Sequence, residues 1–115
     1  MPRLNHVSLS VADRERSAAF YATHFGLARR VHEDAQLLIL AAEDGGLLAL
    51  VEGPVPAPPP PALHFGCQAG SIAEVHAARA RFRDAGVAEA EWQDDGITRV
   101  QVFDPDGYRV EIFAW

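Results

Sequence analysis

Cys67 is the only cysteine among the 115 residues, and that scarcity closes several routes at once. No internal disulfide can form, a Cys-rich structural zinc site is excluded, and the usage fits a reducing cytoplasm. There is no run of about 20 apolar residues and no short apolar segment behind a basic start, so neither membrane insertion nor secretion is expected. Clustered positive charge is missing too. The net charge is −6, and Arg14, Arg16, Arg29 and Arg30 are interleaved with acidic residues, which argues against a nucleic-acid partner. What remains is the balance of an ordinary globular protein, 49% apolar and 23% charged, at a length that buries one core rather than two independent ones.

The chain repeats itself. Leu4 to Val11 alternates His6, Ser8 and Ser10 against Val7, Leu9 and Val11, the period of a strand with one polar and one apolar face. Asp13 then stands where a helix cap belongs, and the helix runs to Phe25 and stops at Gly26. The second half restarts the order. His64, Gly66 and Gln68 alternate with Phe65, Cys67 and Ala69, and Ser71 with Glu74 forms a capping box. Ile72, Val75, Phe82 and Ala85 mark one helical face, which Gly86 ends. His6 stands as far before Asp13 as His64 stands before Ser71, so the halves are duplicates. Strand-like segments follow each helix, roughly residues 28–33, 36–42 and 46–52, then 89–93, 97–103 and 108–113. Asp44-Gly45 and Asp106-Gly107 turn the two final hairpins.

Each half therefore reads as βαβββ, residues 1–53 and 62–115, joined by a linker over 54–61. Residues 53–61 hold six prolines. They cannot enter a central strand and favour a stiff polyproline spacer that reaches roughly 25 Å. Neither half covers both faces of its small sheet alone, so two must pair, within one chain or across a dimer. The expected fold is α+β: two paired modules forming a curved mixed sheet around a central cavity, helices outside.

Strand parity sorts the candidate residues. With the apolar face of each first strand on its helix, His6 and His64 face the concave side. In the last strand Val110 and Ile112 belong to the helix side, which leaves Arg109, Glu111 and Phe113 on the concave side. Two imidazoles and one carboxylate from three strands suit one divalent ion such as Fe, Mn, Ni or Zn, with positions left open. Ser8, Ser10, Gln68, Arg99, Gln101 and Arg109 could supply polar contacts in that cavity. Trp92, Phe103, Phe113 and Trp115 could wall it for a flat organic ligand or serve packing instead. Cys67 reads as a small core residue, and Phe20, Tyr21, Phe25 and Phe82 as helix core.

Residues 4–11, Phe20-Tyr21, Phe25-Gly26-Leu27 and the run Phe103-Asp104-Pro105-Asp106-Gly107-Tyr108-Arg109-Val110-Glu111-Ile112 together resemble the vicinal oxygen chelate superfamily. That group includes glyoxalase I, extradiol dioxygenases, methylmalonyl-CoA epimerases, fosfomycin-resistance thiol transferases and bleomycin-binding proteins. The resemblance implies metal ligands from the first and last strands of each module. His6, His64 and Glu111 match three of those places. Aligning the two hairpin turns puts Ala49 in the fourth, where a ligand is chemically impossible, and Glu52 comes back into play only if a bulge rotates it. Glyoxalase I would need two glutamates, so the three-ligand set is more like the dioxygenase or thiol-transferase branches. His24, His32, His76 and Tyr108 are poorly placed for the extra His and Tyr of the dioxygenases. Nothing matches the phosphonate pocket of fosfomycin enzymes.

Two readings follow. One is a small metal-dependent enzyme of lyase, isomerase, dioxygenase or thiol-transferase type, whose substrate chelates the metal through neighbouring oxygens. The other is a metal-free binding protein that sequesters an aromatic small molecule. Both imply a cytoplasmic protein with a small-molecule ligand, homodimeric, and neither assigns a general base.

Overall fold

The computed structural model describes residues 1–115. It runs β1 (His6–Val11), α1 (Arg14–Phe25), β2 (Arg29–Glu33), β3 (Leu37–Ala41), β4 (Leu47–Glu52), β5 (His64–Gln68), α2 (Ile72–Asp84), β6 (Glu89–Asp95), β7 (Ile97–Phe103) and β8 (Arg109–Ala114). The order βαβββ thus occurs twice, and the fold is α+β. The chain divides into two compact units, Met1–Ala57 and Pro58–Trp115, with the division inside the proline-rich stretch.

Each unit carries its own four-stranded mixed sheet, ordered β1-β4-β3-β2 in the first and β5-β8-β7-β6 in the second. The first and last strands of each module pair in parallel, and the remaining pairs are antiparallel. A parallel pair cannot be joined by a tight turn, so the helix and the intervening hairpin make the crossover.

Local chemistry starts and stops the helices. Asp13 has extended backbone, and its Oδ1 accepts from the amides of Glu15 and Arg16 at 3.0 and 3.1 Å. At the other end Gly26 takes φ 69, a left-handed conformation that costs glycine nothing. Ser71 caps α2 by accepting from the Glu74 amide at 3.2 Å. The Glu74 carboxylate reaches back one residue further than a capping box requires, taking the Gly70 amide at 2.8 Å. Ser17, Ala18 and Tyr21 are buried in α1, and Val75, Ala78 and Phe82 in α2. Ile72 is exposed at 44%, which corrects its expected place on the apolar face. It occupies the first turn, ahead of the stretch that lies on β7 and β8.

The strands alternate as their sequences demand. Leu48 and Leu50 of β4, Leu38 and Leu40 of β3, and Leu9 and Val11 of β1 are buried in the first unit. Val100, Val102 and Val110 do the same in the second. β6 is longer than its sequence suggested, continuing to Asp95, because Gly96 at φ 79 turns the chain directly into β7. No helix is long and apolar enough to cross a membrane.

Candidate functional site

The polar face of the second sheet is assembled by register. In the parallel pair His64 lies beside Arg109, Gly66 beside Glu111 and Gln68 beside Phe113. Across the antiparallel pair Gln101 lies opposite Glu111, Arg99 opposite Phe113 and Phe103 opposite Arg109. Directly paired residues point to the same side of a sheet, so His64, Gln68, Arg99, Gln101, Phe103, Arg109, Glu111 and Phe113 share one face. The residues of that set expected from sequence parity are therefore found together.

His64 and Glu111 make contact: Nε2 stands 2.8 Å from Oε1, with side-chain exposures of 32% and 10%. Gly66 makes this possible. A Cβ there would come within 2.7 Å of the Glu111 Cγ and 3.4 Å of the Phe113 ring, so only glycine lets the carboxylate lean over β5 towards His64. The second carboxylate oxygen, Oε2, is buried and accepts no hydrogen bond. Arg99 Nη1 lies 3.7 Å from it, close enough for charge attraction and too far for a hydrogen bond.

The arginines are held in turn. Arg99 Nε donates to Gln93 Oε1 at 3.1 Å, and its Nη1 lies 3.5 Å from Glu91. Arg109 Nη1 donates to Gln101 Oε1 at 3.2 Å and stands over the Phe103 ring, 5.1 Å from its centroid. Glu91 and Gln93 were missed at the sequence level. A bulge between Glu89 and Glu91 shifts the register of β6 and turns both toward this face. An open cleft of about 480 Å³ is lined by Pro61, Ala62, His64, Glu91, Ile97, Arg99 and Glu111.

The first unit presents the equivalent face differently. His6 is exposed at the start of β1, 3.3 Å from Asn5 Oδ1. Ser8 pairs with Ala49, the place that Gly66 and Glu111 hold in the second module, so the register agrees with the alignment of the hairpin turns. Ser10 Oγ donates to the Pro54 carbonyl at 2.7 Å and secures the exit of β4. Glu52 pairs with the buried Val11, on the helix side of the sheet, and its Oε1 accepts from the Arg14 amide at 3.3 Å. No bulge rotates it back, which corrects the option of Glu52 as a fourth ligand.

Trp92 is also removed from the cleft. It lies on the helix side under the Arg79 guanidinium, 4.1 Å from the ring centroid, with His76 edge-on at 5.1 Å. Phe113 stays on the site face and meets Trp115 at 5.5 Å.

No group of three or more His, Cys, Asp and Glu side chains stands together in a geometry that could hold a metal ion. The pair in the second unit nevertheless has the right chemistry for two ligands of a divalent ion. An imidazole Nε2 and a carboxylate converge, one carboxylate oxygen is buried without a partner, and a glycine clears the space around them.

A sequence profile described as the Glyoxalase/Bleomycin resistance protein/Dioxygenase superfamily matches residues 3–112. No curated protein matches the chain. Among solved structures, a possible glyoxalase from Bacillus cereus is similar at 23% identity and TM-score 0.84, over 97% of this chain and 98% of that one. The fosfomycin resistance protein FosX from Listeria monocytogenes is similar at 19% identity and TM-score 0.85, over 100% and 94%. A mutant form of that protein is known in complex with Mn(II) and 1S,2S-dihydroxypropylphosphonic acid. Lactoylglutathione lyase from Agrobacterium tumefaciens is similar at 22% identity and TM-score 0.76, over 96% and 92%.

Proposed function

Since the chain belongs to the Glyoxalase/Bleomycin resistance protein/Dioxygenase superfamily, we propose that it is a small metal-dependent enzyme whose substrate binds through two neighbouring oxygens. His64 and Glu111 are two ligands of the divalent ion, and His6 is the third. The observation that carries this reading is the His64–Glu111 contact at 2.8 Å, with the other Glu111 oxygen buried and unpartnered. His6 enters because the duplication makes it the counterpart of His64.

When bound, such an ion supplies Lewis-acid stabilisation of an enolate or developing oxyanion. The rest is done by the chain. Before an ion enters, the contact between His64 Nε2 and Glu111 Oε1 keeps the two ligand groups side by side. Arg99 and Arg109 place positive charge on this face, where it attracts an anionic substrate group. Fe, Mn, Ni and Zn all suit imidazole and carboxylate ligands. Lyase, isomerase, dioxygenase and thiol-transferase chemistry all share this frame. The reading takes the protein to be cytoplasmic and homodimeric, and sedimentation of the purified chain checks the oligomeric state.

Elemental analysis of protein purified without chelator tests the proposal. We expect about one divalent ion per site in the wild type, lost by at least tenfold in affinity in His64→Ala. Wild-type protein that takes up no divalent metal, yet binds planar aromatic drugs as well as His64→Ala does, would show a binding protein instead.

A further inference from the structure

Gln101 is the one polar residue of β7 that is completely buried on the site face, at 0% exposure. Its amide is oriented without ambiguity. Arg109 can only donate, and its Nη1 lies 3.2 Å from Oε1, so the oxygen of the Gln101 amide faces Arg109 and the NH₂ group is turned away from it. That nitrogen is buried and has no partner. Directly across the strand pair stands Glu111, whose Oε2 is also buried and also without a hydrogen bond. One sheet face thus holds an unmet donor and an unmet acceptor on neighbouring strands, and the only other buried side-chain polar atom without a partner, Arg14 Nη1, belongs to the first unit.

Buried polar groups that stay unpaired are costly, and a native fold keeps them where something else completes them. Water or a ligand must therefore offer two things here: an oxygen lone pair for Gln101 and a proton for Glu111. A hydroxyl group does both. A carboxylate or phosphate oxygen does only the first, and an ammonium only the second. Arg99 does not fill the place, since its nitrogen is 3.7 Å from Oε2 and its Nε is engaged by Gln93.

We infer that Gln101 and Glu111 form a hydroxyl-binding notch, in which Gln101 Nε2 donates to a ligand hydroxyl and Glu111 Oε2 accepts its proton in a hydrogen bond. Gln101 then determines specificity: the ligand carries a hydroxyl next to the oxygen group that the arginines attract. The inference rests on the reading above that Glu111 belongs to the ligand site. It does not require a bound metal: in the metal-free site Oε1 meets His64, and Oε2 is the oxygen left for the notch.

Glycolate and acetate are the probes, because they share a carboxylate and differ by one hydroxyl. Titration calorimetry on the wild type is expected to show glycolate bound about tenfold more tightly, the worth of one good hydrogen-bonded pair. In nitrogen-15 spectra the Gln101 side-chain amide is expected to shift with glycolate and not with acetate. Gln101→Glu keeps an oxygen for Arg109 and removes the donor. Gln101→Met removes the donor without adding charge, which covers the case in which a second carboxylate beside Glu111 unfolds the sheet. Both variants are expected to lose the glycolate preference. Equal affinity for the two probes in the wild type, or a preference that survives in Gln101→Met, overturns the notch. Zn²⁺ binding by the same samples separates the two claims: a preference that depends on Gln101 in a protein that binds no Zn²⁺ supports the notch and removes the metal reading.

Discussion

A carboxylate on one strand reaches an imidazole on the next only if the residue between them stays small, and Gly66 fills that requirement. Its sequence signal was modest: a glycine between His64 and Gln68 on the polar face of an alternating strand. The structure gives it a reason, since an added Cβ would lie 2.7 Å from the Glu111 Cγ and 3.3 Å from its carbonyl oxygen. The first of these contacts is with the stem of the side chain, which has little freedom to yield. We expect Gly66→Ala to lose about 1–3 kcal/mol of stability, the usual cost of overpacking. It should also part His64 from Glu111, lowering the affinity for Zn²⁺ along with the urea midpoint. An unchanged midpoint, with an unchanged His64 imidazole resonance, would mean that the carboxylate reaches His64 by another path.

At the scale of the elements, the pieces with local signals were legible and those set by pairing were not. Asp13, Gly26 and Ser71 mark helix ends through their own side chains or backbone freedom, and the alternation of β1 and β5 assigns His6 and His64 to their face directly. The bulge in β6 is a property of how β6 meets β7. The residues of 89–93 alone do not encode it, so the sequence by itself does not single out Glu91 and leaves Trp92 a place in the cleft. The same is true of Glu52, whose direction follows from its pairing with Val11. The β2–β3 turn shows a local signal of another kind. Asp34 Oδ1 accepts from the amides of Gln36 and Leu37 at 2.8 and 2.9 Å, and Oδ2 meets His32 Nε2 at 2.8 Å. The His32 hydrogen bond, then the two amides, hold its carboxyl down from 3.8 to about 2. A carboxyl with a lowered folded-state pKa stabilises the fold above its unfolded value and loses that contribution as pH falls through the folded one. Asp34→Ala should therefore weaken amide-exchange protection in β2 and β3 above about pH 4, and the difference from wild type should vanish as pH falls toward about 2. A difference that persists undiminished below that range would assign the effect to packing and not to the ionised carboxylate.

For the molecule as a whole, duplication followed by divergence accounts for both what the modules share and where they differ. The strand register places Ser8 and Ala49 in the first module where Gly66 and Glu111 stand in the second. The two substitutions form a matched pair. With alanine at 49 nothing leans across β1, and Ser8 can keep its side chain; with glutamate at 111, the neighbour must be glycine. If that equivalence is physical, the first module can be given the second module's arrangement. Ala49→Glu alone should destabilise by about 1–3 kcal/mol, because the new carboxylate meets the Ser8 side chain. Adding Ser8→Gly should recover part of that loss, even though glycine in a strand costs roughly 0.5–1 kcal/mol by itself. The signature is therefore a favourable coupling energy of at least about 0.5 kcal/mol in a double-mutant cycle followed by urea denaturation. Two losses that simply add would show that Ala49 and Glu111 correspond in sequence position but occupy unlike surroundings, and the case for His6 as the counterpart of His64 would weaken with them.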